Sequence, residues 1–199
     1  MTSGGAKSPR ERYREQMRAE IKQHAWEQIA TSGASALSLN AIAKQVGMSG
    51  PALYRYFSSR DELITELIRD AYRSLADTVR AAFDSGADVA GLAYAIREWA
   101  QHDPQRYFLI YGTPIPGYHA PADTTAISDE IMTVLLEAFR RLLENHTPAT
   151  ESMNPQRRAL SFWTRVHGEV SLELAGHFTG MDFDPAQLFA DEIDQLSTP

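Results

Sequence analysis

Residues 38–63, SLNAIAKQVGMSGPALYRYFSSRDEL, constrain the fold of this chain more than any other stretch. Leu39, Ile42, Ala43 and Val46 recur at i, i+3, i+4 and i+7, the repeat of one buried helix face. Ser38 stands where an N-cap belongs, and Gly47 where a helix ends on a left-handed residue. Met48 falls in the turn. Ser49 then caps a second helix whose first turn accommodates Gly50 and Pro51. Leu53 and Phe57, four apart, point inward. Pro51, Ala52, Tyr54, Arg55 and Tyr56 are left on other faces, most without an apolar reason to be there. A short outward-facing helix of this kind suits a DNA major groove.

Charge agrees with that reading only when it is followed along the chain. The 199 residues carry a net charge of −7, which by itself argues against nucleic acid. Residues 1–60, however, hold nine Lys/Arg and four Glu, whereas the remainder holds ten basic and twenty-two acidic residues. A basic first third can approach phosphates while the acidic remainder stays away from them. Composition, 43% apolar and 23% charged, is that of a globular protein. The absence of cysteine excludes disulfides, thiol catalysis and cysteine-built zinc sites. The polar start, MTSGGAKSPRERYRE, has no signal-peptide core, and no apolar run approaches a membrane span, so a cytoplasmic location without membrane contact is expected.

The pattern predicts an all-α chain of about nine helices. Residues 1–12 read as a flexible basic arm. Helix 1 follows to about Ser32, with Met17, Ile21, Ala25 and Ile29 spaced by four. Ser59 and Glu62 form a capping box opening helix 4, whose stripe from Leu63 to Phe83 spans about twenty-three residues, or roughly 35 Å. DSGAD (84–88) breaks it. Helix 5 covers about Val89–Gln101, and a short helix 6 ends near Tyr111. GTPIPGYHAPAD (112–123) must be an irregular loop. Helix 7 covers about Thr124–Asn145, and 147–154 is a polar loop. Helix 8 starts at Asn154-Pro155 and reaches about His177, and Pro185 opens a last helix to about Leu196.

Residues Ile21–Leu67 resemble the DNA-binding domain of the TetR family of transcriptional regulators. The resemblance is carried by Ala25, Ile29, Gly33, Ser38, Ile42-Ala43, Val46-Gly47, Ser49, Ala52-Leu53-Tyr54, Tyr56-Phe57 and Ser59-Arg60. Two positions depart. Arg60 stands where the family usually has lysine and keeps the charge, and Asn40 stands where it often has a charged or hydroxyl residue. Further on, Trp163…His167-Gly168 with Leu172-Glu173-Leu174, and Tyr107…Tyr111-Gly112-Thr113-Pro114-Ile115-Pro116-Gly117-Tyr118, resemble a C-terminal domain type within that family. The resemblance implies a helix-turn-helix head at 13–60 and an effector-binding and dimerisation domain at 61–199. It also implies a homodimer whose last two long helices form a four-helix interface.

Pattern and resemblance together make Asn40, Ser49, Gly50, Pro51, Ala52, Tyr54, Arg55, Tyr56 and Arg60 the candidate DNA contacts. Tyrosine hydroxyls would reach phosphates. Arg55 would either read a guanine bidentately or hold a phosphate. Ser49 and Arg60 sit at helix starts that attract phosphate, though Ser49 would equally serve as a cap alone. Val166, Val170, Leu174, Phe178, Leu188 and Ile193 are candidates for the dimer interface or for packing within one subunit.

The second domain is rich in aromatic residues. Tyr94, Arg97, Trp99, Tyr107, Phe108, Tyr111, Phe139, Trp163 and His167 are candidates for binding a small, apolar or aromatic effector, with the proline-rich loop as wall or lid. The expected function is a repressor released from a palindromic double-stranded operator by that effector. The alternatives are a DNA-binding regulator without an effector, or an all-α enzyme or metal protein. No catalytic motif (HExxH, GxSxG, a Walker loop, GxGxxG) is present, and no cofactor is called for. Glu169, Glu173 and His177 repeat every four residues, as a metal face or a polar stripe would.

Overall fold

The computed structural model describes residues 8–119, 121–144 and 154–198, and every regular element among them is helical. In chain order these are α1 (Pro9–Ser32), a 3-10 turn (Ala34–Ala36), α2 (Leu39–Gln45), α3 (Gly50–Leu53), α4 (Arg60–Asp84) and α5 (Val89–His102). Then follow α6 (Pro104–Tyr111), α7 (Ala122–Leu143), α8 (Pro155–Leu174) and α9 (Pro185–Ser197). The chain divides into two units, one comprising residues 1–68 and 114–120 and the other 69–113 and 121–199. The change of unit falls within α4, so that helix is common to both.

In the first unit α1 begins at Pro9, inside the stretch expected to be a flexible arm; residues 1–7 lie outside the described residues. The reason is local. The Ser8 hydroxyl accepts from the Glu11 N–H at 3.2 Å, and the Glu11 carboxylate accepts from the Ser8 N–H at 2.7 Å, with proline at N1. Met17, Ile21, Ala25 and Ile29 form the buried face of α1. Gly33, at φ 78°, ends the helix in a conformation that other residues avoid.

The turn after α2 closes as a Schellman motif. Met48 N–H donates to the Ala43 carbonyl and Gly47 N–H to that of Lys44, with Gly47 at φ 69°. Leu39, Ile42, Ala43, Leu53 and Phe57 are buried beneath it. Two expected caps differ. Ser49 holds the N-cap position of α3, but its side chain makes no cap hydrogen bond. Ser59 accepts from the Glu62 N–H at 3.0 Å, but the Glu62 carboxylate turns to Ser58, taking its N–H at 2.7 Å and its hydroxyl at 2.6 Å. Those two bonds hold the Glu62 carboxyl below its usual range, with Arg18 adding to the effect.

In the second unit α7 packs on α8, and α5 on α7, α8 and α9. The core runs through Leu75, Val79 and Phe83 of α4, Leu92 and Ile96 of α5, Val134, Leu135 and Phe139 of α7, and Phe162 of α8. Each such side chain stabilises the fold by about 1.5–3 kcal/mol through burial. Val166, Val170 and Ile193 belong to this core, at 0%, 0% and 1% exposure, so they pack within one chain. The pattern could not separate the two roles because an apolar helix face looks the same from either side of an interface.

Helix α8 stops at Leu174, short of the expected His177. Gly176 at φ 77° lets His177 N–H reach the Leu172 carbonyl and Gly176 N–H that of Glu173, again a Schellman ending. Most of the expected polar loop 147–154, and Asn145, lie outside the described residues.

Candidate nucleic-acid interface and effector site

The recognition segment is a single turn of α-helix continued by hydrogen-bonded turns. Leu53 and Phe57 are fully buried and fix its inner side. Tyr54, Arg55, Pro51 and Ser49 are exposed, while Gly50, Ala52 and Tyr56 are half-buried. Asn40, exposed at the start of α2, lies against Gly50: a Cβ there would meet Asn40 Oδ1 at 3.3 Å. The glycine thus leaves room for the Asn40 side chain.

A helix this short leaves carbonyls open at its far end, and arginines from α1 cover them. Arg14 Nη2 donates to the Arg55 carbonyl at 3.4 Å, and Arg18 Nη1 donates to that of Tyr56. Arg18 also lies over the Phe57 ring at 4.1 Å and pairs with Glu66 at 3.3 Å and, more distantly, with Glu62 at 3.9 Å. One guanidinium therefore joins α1, the end of the recognition segment and the first turns of α4. Arg60 is engaged in the same way. Its Nε donates to the Leu37 carbonyl at 3.1 Å, and its Nη2 to those of Ala34 at 2.8 Å and Ser35 at 3.1 Å. Both were counted among the basic surplus facing phosphate. Arg18 holds the end of the recognition segment, and Arg60 the backbone of residues 34–37 that leads into α2.

The proline-rich loop falls with this first unit over residues 114–120, where the Tyr118 hydroxyl meets Thr65 Oγ1 at 3.0 Å.

In the second unit the candidate effector residues separate. Tyr107, Phe108, Tyr111, Trp163 and His167 come together. Tyr111 lies at the centre, with ring centroids 4.2 Å from His167, 5.3 Å from Tyr107, 5.9 Å from Trp163 and 6.0 Å from Tyr72. Phe108 packs edge-on to Tyr107 at 5.7 Å. Tyr94 lies instead against Phe189 of α9 at 5.5 Å, and Phe139 against Phe162 in the core at 5.8 Å. Trp99 Nε1 donates to Ser74 Oγ at 3.1 Å. Arg97 forms a two-pronged pair with Glu173 at 2.9 and 2.6 Å, and Gln101 also donates to that carboxylate. That pair accounts for Glu173 without a metal.

Sequence reasoning missed Tyr72 and Ser171. Tyr72 follows Ala71 on the apolar stripe of α4, and its aromatic character was the available sign. Ser171, four residues after His167 on α8, carried none.

The cluster is dry. Burial holds His167 down to about 4, which makes it a neutral imidazole at pH 7. Burial also drives the Tyr111 hydroxyl far upward, with Tyr72 and Tyr107 adding to it.

Comparisons with known proteins agree with both halves. The model for bacterial regulatory proteins of the tetR family matches residues 21–67, and that for the tetracyclin repressor-like C-terminal domain matches residues 89–196. The HTH-type transcriptional regulator Mb1846 of Mycobacterium bovis is 38% identical over 208 aligned positions, covering 88% of each chain. The crystal structure of the regulatory protein SCO4313 is 63% identical with a TM-score of 0.87, covering 95% of this chain and 98% of that one. AibR, solved in complex with isovaleryl coenzyme A and operator DNA, shares the fold at 15% identity and a TM-score of 0.66, covering 92% and 98%.

Proposed function

The chain belongs to the TetR family of DNA-binding transcriptional regulators, and from that premise we propose a homodimeric repressor that a small apolar effector releases from its operator. The exposed Tyr54-Arg55 pair above buried Leu53 and Phe57 carries the DNA half of this reading. Arg55 is the base reader, and Tyr54, Tyr56 and the backbone near Ser49 hold phosphates. One such segment reads too few base pairs for specificity. Two heads would enter major grooves about 34–36 Å apart on a pseudo-palindrome.

The apolar side chains still exposed on the last helices support the dimer. Leu160 and Leu172 of α8 and Leu188 of α9 are 49%, 45% and 37% exposed. The Tyr107–Tyr111–Trp163–His167 cluster is the effector site. Its link to α4 through Tyr72 gives the ligand a handle on the helix shared with the head unit. The AibR complex, which holds both a small molecule and operator DNA, supports coupling of the two functions on this fold. An effector that prefers the DNA-incompetent state by about 1–3 kcal/mol suffices to act as an inducer.

Gel-shift titration against the DNA flanking the chain's own gene, with and without hydrophobic metabolites, tests the proposal. Failure to bind any flanking DNA would refute it. Binding that no metabolite weakens would leave a regulator without an effector. Sedimentation showing monomers at micromolar concentration would remove the dimer.

A further inference from the structure

Around Tyr107 and Tyr111, buried polar atoms are treated in two ways. The Tyr107 hydroxyl has three neighbours: Ser171 Oγ at 2.8 Å, the His167 carbonyl at 3.0 Å and His167 Nδ1 at 3.2 Å. Beside it, the Tyr111 hydroxyl and His167 Nε2 are shut off from solvent and have no hydrogen-bond partner. Leaving such an atom unanswered costs about 1–3 kcal/mol, and here two stand on rings 4.2 Å apart.

The bonds to Tyr107 decide what the pair can accept. A phenol has one proton, and a carbonyl oxygen can only accept. When the Tyr107 O–H donates to the His167 carbonyl, its shorter contact of the two to that residue, Nδ1 must be the N–H that donates to Tyr107. A neutral imidazole then presents a bare lone pair at Nε2. Tyr111 offers a hydroxyl that both donates and accepts.

Charge narrows the partner further. Burial is the largest cause of both shifts, with Tyr72 and Tyr107 adding to it at Tyr111, and no cation lowers Tyr111 and no carboxylate raises His167. Arg97 of α5 is committed to Glu173. A bound carboxylate would face the neutral His167 and Tyr111 and would pay a large desolvation penalty there. An ammonium group could also donate to Nε2, but it would carry its charge out of water at the same kind of penalty.

We infer that Tyr111 and His167 form the polar end of a site for an uncharged, hydroxyl-bearing apolar molecule, whose O–H donates to His167 Nε2 while its oxygen accepts from Tyr111. The inference rests on the effector-site reading above and names the ligand class for it.

Four probes of one size separate the possibilities: phenol, anisole, benzoate and benzylammonium, titrated in the millimolar range into the full-length protein with binding followed by calorimetry and ligand-observed NMR. Phenol should bind about tenfold more tightly than each of the others. Tyr111→Phe should weaken phenol and anisole alike, because the oxygen of each accepts from Tyr111, and should leave in place the phenol preference that comes from the O–H donated to His167 Nε2. It should also unfold no earlier than the parent without ligand, because an unanswered hydroxyl has gone. Anisole, benzoate or benzylammonium binding as tightly as phenol would overturn the ligand class and leave the site standing. Phenol binding that Tyr111→Phe leaves as tight as in the parent would also overturn it. If no probe binds the parent, the effector-site reading falls as well.

Discussion

The two units use buried polar groups in opposite ways. In the head, long arginines reach across the fold and answer backbone carbonyls: Arg18 that of Tyr56, just after the short recognition helix, and Arg60 those of Ala34, Ser35 and Leu37, at the 3-10 turn before α2. In the second unit, a knot of aromatic rings leaves the Tyr111 hydroxyl and His167 Nε2 shut off from solvent and unanswered. A surface that must meet DNA in one register gains from having its backbone locked beforehand, since rigidity lowers the ordering cost of binding. On the proposed reading, a site that responds to a molecule gains from polar atoms that the ligand alone completes.

Removing Arg18 should break this contrast most severely. Arg18→Ala deletes a charged hydrogen bond, the stacking on Phe57 and the ion pair to Glu66 together. A loss of about 2–4 kcal/mol is expected in urea unfolding of the full chain. Operator and random DNA should both bind more weakly, because the recognition segment loses its anchor. Unfolding like the parent's would mean that the head is held by its apolar core alone.

Arg55→Ala should affect binding and leave folding alone, since that side chain is exposed. Its expected signature is about 1–3 kcal/mol less discrimination at one operator position. An equal loss on every sequence, with a salt slope shallower by about one unit, would reassign Arg55 to a phosphate.

The second unit is sharpened by pH. An unfolded imidazole takes its proton near pH 6.5, whereas His167 in the fold takes one only near 4. Between these values the unfolded chain binds more protons, so this residue makes stability fall as pH drops through the window. By pH 5 the contribution lost should be about 1–2 kcal/mol relative to pH 7. His167→Gln should remove that part of the slope. Glu169 works in the other direction. Burial, with Glu192 and Glu173 adding to it, raises its carboxyl to about 7, so its contribution is lost as pH rises from the usual carboxylate range toward 7. Parent and His167→Gln curves that run parallel from pH 7 to 5 would show that His167 is solvated.

The contrast also marks what the sequence could reveal. Helical periodicity, the glycine at 47, the DSGAD break and the Asn154-Pro155 start are local, and the elements they announce are present. The Ser8–Glu11 box was legible too but lay inside a Gly/Ser-rich stretch that reads as an arm. The contacts of Arg18 and Arg60 join residues 38 and 26 positions apart, and no spacing rule connects them. The aromatic cluster was legible as an excess of rings. Which rings gather depended on packing: Tyr94 and Phe139 went to other neighbours, and Tyr72 joined from α4.

The smallest effect separates the two roles open to Arg60. Lysine is the residue that most TetR-like heads carry there, so Arg60→Lys keeps the charge and exchanges a planar fork for a single ammonium on a flexible stem. A phosphate contact tolerates that change, because a point charge suffices for a phosphate. The carbonyl cluster does not tolerate it. Ala34, Ser35 and Leu37 present their oxygens to two different nitrogens of the guanidinium, and one ammonium cannot span the same arc. If the arginine acts as this clamp, Arg60→Lys should lower unfolding stability by about 1 kcal/mol, with the salt slope of operator binding unchanged. If it serves phosphate instead, stability should hold and Arg60→Ala alone should flatten the slope by about one unit.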